Sequence, residues 1–154
     1  MVSVVSWQPA SLYDKYLKNC DVTRVEGSAY PMLANAKAAI VASGTATLET
    51  AMIGTPQVVC YAGSEISYLI AKQLISGIQY ISLVNLIMDK KVVTELIQHD
   101  YTTQHLRDEL RLITDDADNI ARIKEDYREL DTLLGDGSAS AKAADVVMEL
   151  ARRK

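Results

Sequence analysis

The chain has 154 residues, 49% of them hydrophobic and 23% charged, which fits an ordinary globular protein and excludes a disordered one. Its 16 basic and 20 acidic residues leave a net charge of −4, which excludes the basic surface of a bulk nucleic-acid binder. No apolar run reaches the roughly 18 residues of a membrane span, and the first residues lack the charged-then-apolar pattern of a secretion signal.

Val2-Ser3-Val4-Val5 predicts a strand directly at the start. Leu12, Tyr16 and Leu17 recur at amphipathic spacing and predict a helix over 10–18. Val22 and Val25 mark a second strand over 21–26, and Pro31 suits the first turn of a short helix over 30–36. Ala38-Ala39-Ile40-Val41-Ala42 is the short apolar run of a strand buried on both faces, and it ends in Ser43-Gly44-Thr45. A helix over 45–52 stops at Gly54 and Pro56. Gln57-Val58-Val59-Cys60-Tyr61 is another buried strand, followed by a helix over 66–75 that stops near Gly77. Tyr80-Ile81-Ser82-Leu83 reads as the last short strand. From Val92 onward the pattern reads as helical, with breaks at His99-Asp100, at 114–116 and at Gly135-Asp136-Gly137.

Strands alternating with helices imply an α/β fold, a doubly wound parallel sheet of about five strands with helices on both faces and a helical C-terminal extension. Cys20 and Cys60 lack metal-type spacing and read as reduced packing thiols of a cytoplasmic protein. His99 and His105 are too few for a histidine-rich metal site and read as surface residues rather than as a catalytic base.

Ligands of open parallel sheets bind beyond the carboxyl ends of the strands, where Ser43-Gly44-Thr45 stands. Glycine admits close backbone approach, the N–H groups of a first helical turn attract anions, and the two hydroxyls add donors. The same triplet also makes a plain turn with a helix cap. Glu49, one helical turn after Thr45, either favours the helix dipole or reaches past bound phosphates to paired sugar hydroxyls. Read together, the turn and the acid suggest a nucleoside diphosphate ligand. Tyr61 lines the same crevice or is an ordinary half-buried tyrosine. Asp115-Asp116-Ala117-Asp118 has a metal-binding spacing, yet it lies between two helices, and Asp116 or Asp115 reads better as an N-cap; no metal or other cofactor is expected.

Four blocks then carry a resemblance: Ala42-Ser43-Gly44-Thr45-Ala46-Thr47-Leu48-Glu49-Thr50-Ala51; Gly54-Thr55-Pro56-Gln57-Val58-Val59-Cys60-Tyr61; Tyr80-Ile81-Ser82-Leu83-Val84-Asn85-Leu86-Ile87; and Glu95-Leu96-Ile97-Gln98. In this order and at these separations they resemble lipid A disaccharide synthase of Gram-negative bacteria, a family of two-domain, Rossmann-like glycosyltransferases. The resemblance implies transfer of a diacylated glucosamine from UDP-2,3-diacylglucosamine to diacylglucosamine 1-phosphate, with anomeric inversion and release of UDP. By position it gives Ser43, Gly44 and Thr45 the diphosphate and Glu49 the ribose, and it brings Asn85 and Gln98 towards the donor as amides that both donate and accept. It also implies a cytoplasmic enzyme peripheral to the inner membrane. Val84 stands where that family usually has proline.

On this likeness the chain is expected to be a donor-binding part without the family's N-terminal domain and without the central strand of its C-terminal domain, and to be inactive by itself. Without that strand, the strand at Val2 is expected to pair with the strand at Ala39 in the order 2-1-3-4-5. Residues 1–114 then form a truncated donor domain. Residues 115–154 form helices that pack on the missing domain or on a second copy as a homodimer, which leaves Val146, Val147, Leu150 and Ala151 in an exposed apolar stripe. Arg152-Arg153-Lys154 suits a helix end as well as an anionic lipid surface. The competing function is a stand-alone nucleotide-binding module without catalysis; a flavodoxin-like regulator is disfavoured because Ser6-Trp7-Gln8, not an acidic phosphoacceptor, follows the first strand.

Overall fold

The computed structural model describes residues 1–63, 79–135 and 137–152. The helix expected over 66–75, its stop at Gly77, Asp136, Arg153 and Lys154 lie outside the described residues.

The chain is an α/β protein with parallel strands, as its alternating pattern predicts. In order it runs β1 (Val2–Val4), α1 (Ala10–Leu17), β2 (Arg24–Glu26), α2 (Tyr30–Ala34), β3 (Ala39–Ala42), α3 (Thr45–Ile53) and β4 (Gln57–Tyr61). After the segment left out come α4 (Leu83–Met88), β5 (Thr94–Ile97), a 3-10 turn (Gln98–Asp100), α5 (Thr103–Asp115), α6 (Ala117–Leu134) and α7 (Ala139–Arg152).

Among the described residues, five strands lie in two sheets, not one. β1 pairs with β2, Val2 opposite Arg24 and Val4 opposite Glu26. β4 is the middle of a second sheet, with Ile40 opposite Val58 on one side and Cys60 opposite Leu96 on the other. The expected pairing of β1 with β3 is therefore not made, and the order 2-1-3-4-5 does not form. Among the described residues, β1 and β3 each have a strand partner on one side only, and Ile40 stands half exposed on the β3 edge.

The identity of the fifth strand is also corrected. Residues 80–83 form no strand; Ser82 ends an extended segment and caps α4, its hydroxyl accepting from the Asn85 N–H. The strand is instead Thr94–Ile97, within the stretch read as helical. One physical cause underlies both differences. The N–H groups of Ile81 and Ser82, which a strand would give to a neighbouring backbone, go to the carboxylate of Glu95. The helix-compatible Glu95 and Leu96 are drawn into a ladder with β4, where Leu96 is buried.

The core belongs to the second sheet and its helices. Val58, Val59, Val84, Val92 and Val93 are almost wholly buried, joined by Ile113 of α5 and by Ile123, Tyr127 and Leu130 of α6. The two-sided burial of β4 explains its apolar run Val58-Val59-Cys60. α6 thus completes the same core as the residues before position 115. α7 contributes no buried residue, and the expected stripe of Val146, Val147, Leu150 and Ala151 is exposed.

Gln57 is buried beside α3 and α6. Its Nε2 donates to the Thr47 carbonyl at 2.8 Å and to the Tyr127 hydroxyl at 3.2 Å. Tyr127 in turn donates to the Thr55 carbonyl at 3.4 Å. The Thr-rich α3 tolerates its hydroxyls because Thr47 and Thr50 return them to the carbonyls of Gly44 and Ala46, at 2.8 and 2.7 Å. Gly54 closes that helix in the left-handed conformation, φ 89°.

Candidate functional site

β3, β4 and β5 run parallel, so Ser43, Tyr61 and Gln98 all come to the same carboxyl edge of the three-stranded sheet. Ser43 adds one rung beyond β3, its N–H donating to the Cys60 carbonyl at 3.1 Å. Gly44 is the N-cap of α3, with φ 151° and ψ −164°, a backbone region that side-chain-bearing residues essentially do not occupy. Among the described residues, a Cβ at Gly44 would meet nothing within 4 Å. The turn therefore needs glycine for its conformation, and no described residue fills the space in front of it.

The triplet makes the turn and supplies the cap through Gly44, without a side-chain hydrogen bond to the α3 amides. Ser43 Oγ instead makes a long hydrogen bond, 3.3 Å, to the Ile81 carbonyl. Among the described residues, the N–H groups of Thr45 and Ala46 meet no acceptor. Thr45 is exposed. One turn later Glu49 is half-buried and, among the described residues, has no hydrogen-bond or ion-pair partner. Uncapped first-turn amides form a positive patch open to an anion.

The two amides expected to face the donor are engaged with the protein itself. Asn85 is fully buried. Its Oδ1 accepts from the N–H groups of Val92 and Val93 at 2.9 and 3.0 Å, while Nδ2 donates to the Val93 carbonyl and to Glu95 Oε1, both at 2.9 Å. All four hydrogen-bonding positions of that amide are filled. Gln98 grips the loop after β4: its Oε1 accepts from the Gly63 N–H at 2.6 Å and its Nε2 donates to the Gly63 carbonyl at 3.1 Å. Tyr61 lies beside the same glycine, its hydroxyl 3.0 Å from where a Gly63 Cβ would stand. Tyr61 and Gln98 thus meet at Gly63, whereas Asn85 and Ser43 are joined through residues 81–85.

Glu95 and Ser82 are the residues that sequence reasoning left without a role. Glu95 Oε1 accepts from the Ser82 N–H, the Ser82 hydroxyl and Asn85 Nδ2, at 2.9, 2.6 and 2.9 Å, and Oε2 accepts from the Ile81 N–H at 2.9 Å. The Ser-x-x-Asn cap spacing of Ser82 and Asn85 was an available signal; the reach of Glu95 from another strand was not.

The aspartate run behaves as a helix junction. Asp116 caps α6 by accepting from the Asn119 N–H at 3.0 Å, and Asp115 pairs with Lys37 at 3.3 Å. Among the described residues, no three His, Cys, Asp or Glu side chains form a group able to hold a metal ion, and His99 and His105 are exposed. No helix among the described residues is long and apolar enough to cross a membrane.

The scaffold is a parallel α/β fold with a glycine-capped helix N-terminus at the carboxyl edge of its three-stranded sheet. The lipid-A-disaccharide synthetase family model matches residues 3–149, and the chain belongs to that family. It is similar to the lipid-A-disaccharide synthase of Syntrophus aciditrophicus, 39% identical over 132 residues that cover 86% of this chain and 34% of the relative. The synthase of Syntrophotalea carbinolica is 34% identical over 131 residues, 85% of this chain and 33% of its own. That of Acidobacterium capsulatum is 41% identical over 102 residues, 66% and 25% respectively. The chain spans about a third or less of the length of these relatives.

Proposed function

We propose that this chain is the donor-binding part of an inverting glycosyltransferase that forms the lipid A disaccharide from UDP-2,3-diacylglucosamine and diacylglucosamine 1-phosphate. One observation carries the reading: a glycine-capped α3 N-terminus whose Thr45 and Ala46 amides, and the half-buried Glu49 one helical turn on, all lack a partner among the described residues. The Thr45 and Ala46 amides and the Thr45 hydroxyl hold the diphosphate, while Ser43, whose hydroxyl proton goes to the Ile81 carbonyl, fixes the turn that presents them. Glu49 accepts from the ribose hydroxyls, and Tyr61 flanks the donor. Amide dipoles aimed at the phosphates stabilise the charge that gathers on UDP as the bond to the anomeric carbon breaks. Asn85 and Gln98 serve the donor from behind, by holding the two loops that border it.

In this reading, the exposed apolar side of α7, with Arg152 at its end, is where the remainder of such an enzyme, a second copy or the cytoplasmic face of the inner membrane would pack. UDP titration by calorimetry tests the site, comparing the parent with Glu49→Ala and Gly44→Val. Glu49→Ala should weaken binding by roughly 1–3 kcal/mol through loss of the ribose hydrogen bonds. Gly44→Val should abolish it, since a side chain there points into the open approach. Equal affinity in all three proteins would overturn the assignment. A stand-alone nucleotide-binding module would keep UDP affinity in every length variant, with no transferase activity in any.

A further inference from the structure

We propose that Glu95 is a positioning residue for the Gly44 turn: it fixes residues 81–85 and, through the Ile81 carbonyl, sets the direction of the Ser43 hydroxyl. Four donors converge on its carboxylate, from Ile81, twice from Ser82, and from Asn85. Only an ionised carboxylate accepts on both oxygens and donates nothing, so no neutral side chain of the same length fills the place. Ile81 is the link. Its N–H goes to Glu95 Oε2 at 2.9 Å, and its carbonyl, across the next peptide plane, receives the Ser43 hydroxyl at 3.3 Å.

The convergence also resolves an electrostatic difficulty. A carboxylate near an anion-binding turn would ordinarily repel the ligand. Here its charge is met by charge-assisted hydrogen bonds from the protein. The Glu-Leu-x-Gln spacing acquires a physical meaning as well: from within β5, Glu95 holds the segment beside Ser43, while Gln98, just past the strand's end, holds the loop at Gly63.

Glu95→Gln keeps the shape but replaces one acceptor oxygen with an NH2 group. In the less disruptive orientation the oxygen stays among Ser82 and Asn85, and the NH2 faces the Ile81 N–H, donor against donor. Ile81 is then released, and with it the contact to Ser43. Whether this matters to a nucleotide rests on the donor-site reading above; the coupling between Glu95 and Ser43 does not.

The test uses NMR on the full chain. Glu95→Gln should speed amide exchange at Ile81 by about tenfold and shift the backbone resonances of Ser43 and Gly44, leaving Val58 and Val59 in place. In parallel, Ser43→Ala should weaken UDP binding in the parent and have no further effect in the Glu95→Gln background. A residue that merely stabilises the fold would leave the Ser43 contribution intact. Unmoved Ser43 and Gly44 resonances, or an equal Ser43→Ala effect in both backgrounds, would overturn the proposal. If the parent binds no UDP, the donor reading fails and the resonance and exchange data alone decide the coupling. If Glu95→Gln does not fold, Ser43→Ala reads the link from its other end: the Ile81 amide must shift, and an unmoved Ile81 sinks the proposal.

Discussion

The side-chain amide of Gln98 pairs with both backbone polar groups of Gly63, 35 residues away in sequence, at 2.6 and 3.1 Å. Gln98 does so from a left-handed backbone, φ 50°, a conformation that costs an ordinary residue roughly 1–2 kcal/mol. Replacement by alanine keeps the backbone strain and loses the pairing, whereas glycine loses the pairing but relieves the strain. Gln98→Gly should therefore be more stable than Gln98→Ala by about 1 kcal/mol in urea unfolding, the reverse of the usual order. Equal midpoints would mean that this backbone relaxes when the amide is removed.

Asn85 gives the strongest single-residue prediction. Asn85→Ala strands the Val92 and Val93 N–H groups, the Val93 carbonyl and one Glu95 acceptor in a buried site, and should cost about 3–5 kcal/mol. Asn85→Asp retains the acceptors but sets a second carboxylate 2.9 Å from Glu95, at the distance of the present Nδ2 contact. Like charges and burial raise the acid's folded pKa above its unfolded value. The variant's stability deficit should therefore shrink as pH falls, which paired thermal melts at neutral and mildly acidic pH would show.

Tyr127 makes the alkaline limit predictable. Burial, opposed by the hydrogen bond from Gln57, pushes its pKa from 10.0 up to about 12. The unfolded state thus loses the phenolic proton first, and stability present in full below pH 10 is lost progressively between about pH 10 and 12. The contribution is up to about 3 kcal/mol. Tyr127→Phe should flatten that part of the stability–pH curve; an unchanged slope would show that other groups set it.

The cysteines should separate kinetically. Cys20 is exposed, while Cys60 is buried on β4 and desolvation raises its pKa. A disulfide reagent should titrate one thiol quickly in the native protein and the second only on unfolding. Fast reaction of both, with Cys20→Ser still showing one fast thiol, would mean that β4 opens readily.

Much of this was readable from local chemistry. The buried valines of β4, the stop at Gly54 and the capping Asp116 each rest on rules that act over a few residues, and the structure shows all three. Tyr80-Ile81-Ser82-Leu83 and Thr94-Glu95-Leu96-Ile97 differ from their local patterns because each settles the other's backbone or side-chain partners across more than ten residues, and neither reveals this alone. Asn85 and Gln98 were legible as important amides. Their partners are backbone groups of Val92, Val93 and Gly63, which have no signature in side-chain identity. The separation of β1 from β3 depends on edge pairing between distant segments, the least local quantity in the fold.

That separation also divides the molecule's cohesion. The β1–α1–β2 portion places only Val4 among the buried hydrophobic residues, α1 buries none, and the Arg24–Asp14 ion pair that spans it is solvent-exposed, which makes that pair worth about 1 kcal/mol or less. Gentle warming should therefore melt Val2–Glu26 first, as a frayed tail exchanging its amides well below the global unfolding temperature, while the valine-filled sheet behind the Gly44 turn stays native.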